Sequence, residues 1–589
     1  MIKSTMSMLA LCAFASHAAL AQDALPQAPE ASTGYTEKTG RVAQKMMVAA
    51  ANPLAADAGY QMLQQGGAAI DAAIATQMVL GLVEPQSSGL GGGAFLMHFD
   101  GKQVQAYDGR ETAPAAADEH LFQRPDGKPV PFQDGVVGGR SVGAPGVLRM
   151  LELAHRQHGT LPWASLFAPA IRLADAGFRV SPRLHLLLVS DSHLRLDPVA
   201  AAYFYDARQN AWPVGHLLKN PALASTLRRI AAGGADAFYQ GRIAHDIERK
   251  VMSHVTNPGL LSVQDIAGYQ AKVRLPVCSD YRRWTVCGMP PPSSGGIAIA
   301  QMLGILETTD IGAHAPHNGV LGASAIHLFS EAGRLAYADR NRYLADTDFV
   351  ALPGNGIAAM IDQRYLAQRA ALITDKSMGQ ARAGVPAGMK VAWGSDNAIE
   401  HPSTSHLVVV DRHGAGLSMT TTVEAAFGSR QMVDGFLLNN QLTDFSFASS
   451  DADGPIANRV QPGKRPRSSM APTLVFEKGT QQLMLATGSP GGSSIINYVA
   501  KVLIGTMDWG LNVQQAISLP NFGSRNGPTE LEAGLVQPGL VEALEARGHT
   551  VRVIDQNSGL QGIMRVAIDG RAAWFGGADP RREGSVRGD

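Results

Sequence analysis

Two threonines at the mouth of a predicted hairpin are the residues of this sequence best suited to chemistry. Thr404 stands where a loop gives way to the apolar run 407–410, a pattern typical of a buried strand. A turn and a second β-type run, 417–423, follow. If the hairpin is symmetric about His413, Thr404 lies opposite Thr422. Two neighbouring hydroxyls suit a chain that cuts itself before Thr404 and then uses the freed threonine as nucleophile.

The hairpin alone does not establish catalysis. Threonine is common in strands because its branched Cβ packs well on a pleated surface. A second feature supports a site: the glycine-rich turn 488–494 separates a predicted strand, 484–486, from a predicted helix, 495–502. Backbone N–H groups at such a turn can stabilise an oxyanion. The plainer interpretation is a turn that only ends a strand.

The elements that position these residues form an alternating pattern. Helical periodicity predicts helices at 52–65 and 68–82, and β-type runs predict strands at 94–99 and 104–108. The region from about 145 to 270 is helix-rich, and strands and turns dominate from 404 onward. Further predicted helices cover 146–157, 165–176, 221–232 and 297–307.

The glycine run at 87–93 does not fit a phosphate cradle. It lacks the lysine of a phosphate-binding loop and precedes a strand instead of a helix. We therefore predict that this run allows tight backbone packing near a site.

Composition and charge exclude several function classes. The chain has 589 residues, 45% of them hydrophobic, and its 50 basic and 50 acidic residues cancel. The sequence has no block of basic residues that would indicate nucleic-acid binding. It also has no basic amphipathic stretch that would indicate binding to a membrane surface. The apolar segment 6–15 and the small-x-small motif at 19–21 predict a signal peptide, 1–21, followed by a flexible tail to about 45. No membrane anchor is expected. We predict an exported protein, periplasmic or secreted.

Two cysteines remain after removal of the leader. Cys278 and Cys287 flank a strand-turn-strand pattern. In an exported protein the two thiols can form a disulfide, and two unpaired buried thiols are the alternative.

A series of motifs, taken together and in order, resembles the γ-glutamyltranspeptidase family, also called glutathione hydrolases. The motifs are residues 84–93, 108–114, 291–296, 404–406, 438–445, 464–470, 488–492 and 579–582. The resemblance implies a mixed α/β N-terminal-nucleophile hydrolase fold, in which two stacked sheets lie between helical layers (αββα). It also implies a large fragment, 22–403, and a small catalytic fragment, 404–589, which form one intertwined domain and a heterodimer.

The resemblance assigns catalytic roles residue by residue. The chain is expected to cleave itself between Ser403 and Thr404, and the free amine of Thr404 then serves as base for its own hydroxyl. Thr422 orients the amine and the hydroxyl. Gly491 and Gly492 stabilise the tetrahedral oxyanion.

The same resemblance implies an amino-acid pocket. Arg110, Ser468 and Ser469 hold the α-carboxylate of the donor, because a guanidinium matches a carboxylate bidentately. Gln441 and Asp444 bind its α-ammonium. The donor is glutathione or a related γ-glutamyl amide, and water, an amino acid or a dipeptide is the acceptor. No metal or organic cofactor is expected.

The sequence departs from the family pattern in two places. Glu424 stands where the family usually has asparagine, which adds a carboxylate to the predicted substrate pocket. The connection 445–467 is short and contains no tyrosine, whereas family members with a lid have a longer segment with an aromatic gate. We therefore predict a more open cleft.

Three functional interpretations remain. The first is γ-glutamyl transfer and hydrolysis. The second is an amide acylase on the same scaffold, of the glutaryl-type cephalosporin acylase kind. The third is an uncleaved, inactive binding protein. Arg110 and Asp444 favour the first over the second, and the intact threonine pair argues against the third.

Overall fold

The computed structural model describes residues 34–389, 393–396, 398, 400 and 403–589 of the uncut chain. The predicted leader lies outside these residues, as does the first half of the predicted tail.

Two seven-stranded antiparallel sheets form the centre of the described fold. One sheet has the order β14-β2-β8-β9-β3-β4-β5, and the other has the order β1-β13-β12-β11-β10-β7-β6. In chain order the strands are β1 (Arg41–Ala43), β2 (Met47–Ala50), β3 (Gly93–Phe99), β4 (Val104–Gly109), β5 (Lys272–Arg274), β6 (Val277–Tyr281), β7 (Trp284–Gly288), β8 (Ser405–Val410), β9 (Gly416–Thr422), β10 (Thr473–Glu477), β11 (Leu483–Gly488), β12 (Gln561–Ile568), β13 (Arg571–Ala578) and β14 (Ser585–Gly588).

Smaller strand groups lie outside the two main sheets. They are Phe178–Arg179 with Leu217–Leu218, Met432–Val433 with Phe436–Leu437, Ser450–Asp451 with Gly454–Pro455, and the three-stranded group Phe522–Ser524, Thr529–Glu532 and Val551–Ile554.

Helices cover the outer faces of the sheets. The α-helices are Pro53–Gln64, Ala69–Val83, Phe132–Val136, Val147–His158, Ala168–Ala176, Pro182–Ser190, Pro198–Phe204, Pro221–Gly233, Asp236–Tyr239, Arg242–Met252, Val263–Ala267, Gly295–Leu306, Ala323–Tyr343, Ile357–Met360, Gln363–Ala370, Ile495–Met507, Val513–Ser518 and Leu540–Glu545. Short 3-10 helices are Trp163–Phe167, Leu194–Leu196, Ile311–His314, Gln441–Asp444 and Gly492–Ser494. None of the helices in the described part of the chain combines the length and the hydropathy that a bilayer crossing requires.

The layering follows from β8, which is buried on both faces. Successive side chains of a strand point to opposite faces. Leu407 and Val409 accordingly join an apolar core shared with the helices Pro53–Gln64 and Ala69–Val83. Val408 and Val410 join the other core, together with residues of the second sheet such as Leu485 and Ile563 and with the helices behind it. The predicted αββα arrangement is therefore confirmed.

The predicted hairpin register is confirmed as well. Val410 pairs with Gly416 and Ser405 pairs with Thr421 across β8 and β9. One step further along the same register, Thr404 is the neighbour of Thr422. Each main sheet contains strands from both sides of Thr404, so the residues before and after it build the same two sheets.

The glycine run has the role predicted for it. A Cβ on Gly91 would lie 2.1 Å from the Leu437 carbonyl oxygen, and a Cβ on Gly92 would lie 2.0 Å from that of Thr422. A side chain at Gly92 would push the backbone away from Thr422, and one at Gly91 would push it away from Leu437.

The predicted helices are found with small shifts at their ends, and two long helices differ from the sequence-based expectation. The helix after the glycine turn extends to Met507, beyond the predicted end at 502. The helix Ala323–Tyr343 was not predicted at all. Cys278 and Cys287, paired across β6 and β7, form a disulfide.

Candidate active site

The hydroxyls of Thr404 and Thr422 converge on one carbonyl group. Thr404 Oγ1 donates to the Ser403 carbonyl oxygen at 2.6 Å, and Thr422 Oγ1 donates to the same oxygen at 2.9 Å. The two hydroxyl oxygens are 3.5 Å apart. The nucleophile predicted for self-cleavage is thus in contact with the group it would attack.

Buried hydrogen bonds hold the backbone around Thr404. Arg582 donates from its guanidinium to the Thr404 carbonyl oxygen at 3.1 Å. The hydroxyl of Ser405 donates to Glu84 at 2.7 Å, and burial raises the pKa of that carboxyl to about 7. The hydroxyl of Ser403 donates to the Gln86 carbonyl oxygen at 2.8 Å. Because all these contacts come from other elements, the start of β8 is rigidly placed.

Most of the predicted site residues surround one small space beside Thr404. Its volume is about 20 Å³, enough for about one water molecule. Its lining contains Arg110, Thr404, Thr422, Glu424, Gln441, Asp444, Ser468, Ser469 and Gly492 from the prediction, and in addition Glu400, Met470 and Ile495. Gly491 is not part of the lining.

The open cleft predicted for the active protein stays a prediction, and in the uncut chain the space beside Thr404 is closed. Thr404 is 3% exposed and Asp444 is 5% exposed. The physical reason is the segment before the cut: Ser403 lies against the threonine pair, and the side chain of Glu400 reaches into the same space.

Asp444 and Gln441 present hydrogen-bond acceptors at this space. Asp444 Oδ2 accepts from Arg110 at 2.5 Å and from Gln441 Nε2 at 2.7 Å. Asp444 Oδ1 and Gln441 Oε1 are buried and have no hydrogen-bond partner among the described residues. Burial raises the pKa of the Asp444 carboxyl to about 6, although the charge of Arg110 opposes that shift.

Arg110 is itself held by internal acceptors. Its Nε donates to the Pro466 carbonyl oxygen at 3.2 Å, and one terminal nitrogen donates both to Asp444 and, at 2.8 Å, to the Arg467 carbonyl oxygen. The other terminal nitrogen lies 3.8 Å from Glu111. Burial raises the pKa of the Glu111 carboxyl to about 8. Arg110 therefore fixes the orientation of Asp444.

Glu424 adopts an uncommon backbone conformation, with φ +80°. Its N–H donates to Thr422 Oγ1 at 2.8 Å, and its carboxylate accepts from the side chain of Asn440. Positive φ costs a residue other than glycine of order 1–3 kcal/mol, and asparagine tolerates it better. The asparagine usual in the family would fit this backbone with less strain.

The glycine turn places Gly491 and Gly492 beside the helix Ile495–Met507. Both have positive φ, +137° and +55°, which only glycine adopts readily. A Cβ on Gly491 would lie 2.5 Å from the ring of Tyr498. Gly491 is required by both its φ and the contact that a Cβ would make, so the backbone of the turn can come close to a neighbouring group.

Two contributors to the site were missed from the sequence, Glu400 and Arg340. The Glu400 carboxylate accepts from the Ser469 hydroxyl at 2.5 Å and pairs with the guanidinium of Arg340. Apolar residues at helical spacing in Ala323–Tyr343, such as Ile326 and Phe329, are a signal that could have revealed the helix carrying Arg340.

The structure also brings together a group that resembles a metal site. Ligand atoms of His327, Glu331 and His549 lie within 4.8 Å of one another. His327 Nε2 donates to the Thr374 carbonyl oxygen at 2.7 Å, so its Nδ1 accepts from His549 Nε2 at 2.8 Å. His549 Nδ1 then accepts from Thr529 at 2.7 Å. Every ring nitrogen is used, so the group works as a hydrogen-bonded chain.

A larger cavity, about 800 Å³, lies elsewhere and is lined by residues such as Arg140, Lys250, His254 and Arg430. None of the predicted site residues belongs to its lining.

Two sheets between helical layers, with a threonine hydroxyl at the start of a central strand, define the chain as an N-terminal-nucleophile hydrolase. The family model for gamma-glutamyltranspeptidase matches residues 55–588. The chain belongs to the γ-glutamyltranspeptidase family, and the resemblance noted in its motifs is confirmed.

Relatives of two kinds are similar to this chain. The glutathione hydrolase proenzyme of Escherichia coli (strain K12) is 35% identical, over 99% of this chain and 98% of its own length. The Acylase ACY 1 proenzyme of Pseudomonas sp. (strain V22) is 34% identical, over 89% of this chain and 90% of its own length. The crystal structure of cephalosporin acylase from Bacillus halodurans superposes with a TM-score of 0.81 at 25% identity, covering 95% of this chain and 99% of that one.

Proposed function

We propose that this chain cuts itself between Ser403 and Thr404 and becomes a γ-glutamyltransferase and glutathione hydrolase. It transfers the γ-glutamyl group of glutathione and related amides to water, an amino acid or a dipeptide. Membership of the γ-glutamyltranspeptidase family, a glutathione hydrolase proenzyme relative over nearly the full length and the threonine pair support this proposal.

Self-cleavage follows from the contacts of the scissile carbonyl. Thr404 Oγ1 attacks the Ser403 carbonyl carbon, and the Thr422 hydroxyl stabilises the oxyanion through its bond to the same oxygen. Breaking the peptide C–N bond leaves an ester on Thr404 Oγ1 and a free α-amine. Water then hydrolyses the ester, which yields the Ser403 carboxylate and a free Thr404.

Transfer repeats this chemistry on a substrate. The Thr404 amine, with a reference pKa of about 7.7, takes the hydroxyl proton as Oγ1 attacks the γ-carbonyl carbon. Gly491 and Gly492 stabilise the oxyanion, and the leaving amine departs with a proton. The γ-glutamyl ester on Thr404 is then opened by water or by the amine of an acceptor.

The observation that carries the choice of substrate is the pair of unpartnered acceptors. Asp444 Oδ1 and Gln441 Oε1 are buried at the space beside Thr404. An ammonium group has three N–H donors to satisfy, so an α-ammonium fits there. Arg110, Ser468 and Ser469 bind the α-carboxylate, and Glu424 adds negative charge to the ammonium side.

The two fragments, 22–403 and 404–589, stay together as a heterodimer, because each main sheet contains strands of both. Export to the periplasm is part of the proposal. The predicted leader and the Cys278–Cys287 bridge support it, since disulfides persist in oxidising compartments.

An amide acylase is the second candidate function. The acylase relatives favour it. An acyl group without an ammonium would leave the acceptors of Asp444 and Gln441 without a donor. Arg110 and Asp444 favour a donor that carries an α-carboxylate and an α-ammonium.

The test uses the mature protein with glutathione, with and without glycylglycine. We expect glutamate release without the acceptor and γ-glutamyl-glycylglycine with it. Thr404→Ala should give one uncut chain without activity, and Thr404→Ser should still cut itself. Two fragments in Thr404→Ala, or a small fragment that begins at another residue, would show that the scissile bond is wrong.

A further inference from the structure

The carboxylate of Glu400 occupies an anion site at the space beside Thr404. Glu400 lies four residues before Thr404 and lines the same space. Its Oε2 accepts from the Ser469 hydroxyl at 2.5 Å, and its Oε1 pairs with Arg340 and lies 3.8 Å from Arg467. The position of the Glu400 side chain therefore indicates where a carboxylate binds in this pocket.

The charges around Glu400 are those that a bound carboxylate needs. Burial acts to raise the pKa of the Glu400 carboxyl, but the guanidinium groups of Arg340 and Arg467 hold it below its ordinary value. Glu400 is therefore an ionised carboxylate although it is buried.

Arg340 is positioned to present one nitrogen to this anion. Its Nε donates to the Ser294 hydroxyl at 2.9 Å, and one terminal nitrogen donates to Asn341 at 2.9 Å. The other terminal nitrogen donates to Ser469 at 2.6 Å and to Glu400. The guanidinium is held on two sides, and its remaining nitrogen meets the carboxylate. Arg110, by comparison, already serves Asp444 and two backbone carbonyl groups.

We infer that Arg340, together with Ser469, binds the α-carboxylate of the γ-glutamyl donor, and that the Glu400 carboxylate holds this place until the chain is cut. The inference rests on the proposed function and adds a residue to it. A space of about 20 Å³ does not admit a glutamyl group beside Glu400. Cleavage after Ser403 releases the end of the segment that carries Glu400, and the donor carboxylate then takes over the same hydrogen bonds.

The experiment compares three anilide donors on the mature protein. γ-Glutamyl-p-nitroanilide has the α-carboxylate and the α-ammonium, glutaryl-p-nitroanilide has only the carboxylate, and 4-aminobutyryl-p-nitroanilide has only the ammonium. Arg340→Lys keeps the charge but loses the planar fork. Arg342→Lys is the matched control, because Arg342 lies on the same helix and pairs with Asp453 at the surface. Rates are normalised to the cut fraction on a denaturing gel.

For Arg340→Lys we expect kcat/KM to fall about tenfold or more for the two donors with a carboxylate, mainly through KM. The 4-aminobutyryl donor should change by less than about twofold, and Arg342→Lys should match the wild type with all three. Equal losses on all three donors, or no loss, would overturn the inference. A wild type that turns over none of the γ-glutamyl donor would instead refute the proposed function.

A second measurement does not depend on the maturation of any variant. A synthetic peptide of residues 396–403 should inhibit the mature wild type competitively with the γ-glutamyl donor. The same peptide with glutamine at the position of Glu400 should inhibit about tenfold less. Equal inhibition by both peptides, or inhibition by neither, would show that the Glu400 carboxylate does not mark the donor site.

Discussion

The hydroxyl of Thr422 donates a 2.9 Å hydrogen bond to the carbonyl oxygen of Ser403, the group that precedes Thr404. The bond joins the end of β9 to Ser403, two residues before β8 begins, so it depends on the hairpin register that pairs Ser405 with Thr421. A donor placed on a carbonyl oxygen before reaction stabilises the charge that develops when the carbon is attacked. The hairpin thus places the nucleophile and also prepares its first substrate, the chain itself.

Thr422→Val should slow self-cleavage strongly, because valine has the shape of threonine without the hydroxyl. Loss of one oxyanion donor costs about 10²- to 10³-fold in rate. The measurement is the uncut fraction on a denaturing gel during incubation after purification. Thr422→Ser keeps the donor and should remain within about tenfold of the wild type. Cleavage of the valine variant at the wild-type rate would remove Thr422 from this role.

The pH dependence of donor use should reveal Asp444. Burial, with the neighbouring charge of Glu400 in the uncut chain, raises the pKa of its carboxyl to about 6. Burial alone still keeps the pKa above its ordinary value, so the carboxylate is lost as the pH falls to about 6 and below. The Thr404 amine has a reference pKa of about 7.7. It is protonated as the pH falls below that value, so activity already declines there because the base is lost. For γ-glutamyl-p-nitroanilide, the fall of kcat/KM should therefore steepen below about pH 6, from roughly one decade to roughly two decades per pH unit.

The control for this limb is glutaryl-p-nitroanilide, which has no ammonium for Asp444 to bind and should show only the amine limb. A second break near pH 6 with both donors would assign that limb to another group.

The pH dependence of the stabilisation by Asp444 runs opposite to that of activity. Because the folded pKa lies above the ordinary 3.8, the contribution of Asp444 to stability is fully present below about pH 4 and is lost as the pH rises through about 6.

Glu424→Asn should change donor preference without loss of stability. Asparagine adopts the positive φ of this position more readily, so the melting temperature should stay the same or rise. Removing the carboxylate should lower kcat/KM about fivefold to tenfold for the γ-glutamyl donor, with a smaller effect on the glutaryl donor. Identical donor profiles for the variant and the wild type would show that Glu424 has no role in donor selection.

Removal of the disulfide should affect stability and leave the chemistry intact. Cys278 lies on β6, which is paired with β7 at the edge of its sheet as the described residues form it. A bridge that closes such a short loop contributes about 2–3 kcal/mol in the chain-entropy model. The double variant Cys278→Ser/Cys287→Ser should melt a few degrees lower and keep its activity per cut chain. Reduction of the wild type should reproduce the shift, and an unchanged melting temperature would contradict this account.

Much of the site was predictable because its signals are local. The apolar run of β8, the turn around His413 and the β-type run of β9 set a register that needs no distant residue, and they place Thr404 beside Thr422. In the same way, the positive φ at Gly491 and Gly492 favours glycine at both positions. The remaining pocket residues are far apart in the sequence. Only the resemblance to the family indicated that they meet in one pocket and what role each has.

The closed state of the pocket was decided by the tertiary structure. Glu400 reaches Ser469 and Arg340 across long separations in the chain, and no periodicity or turn encodes such a contact. The short connection at 445–467 likewise does not indicate which other segment fills the space before the chain is cut. Sequence alone determined the hairpin, the glycine turn and the family, since these depend on backbone geometry and residue type. Tertiary packing decided which charged side chains pair, because a buried guanidinium and a carboxylate come into contact only when the folded core places their elements side by side.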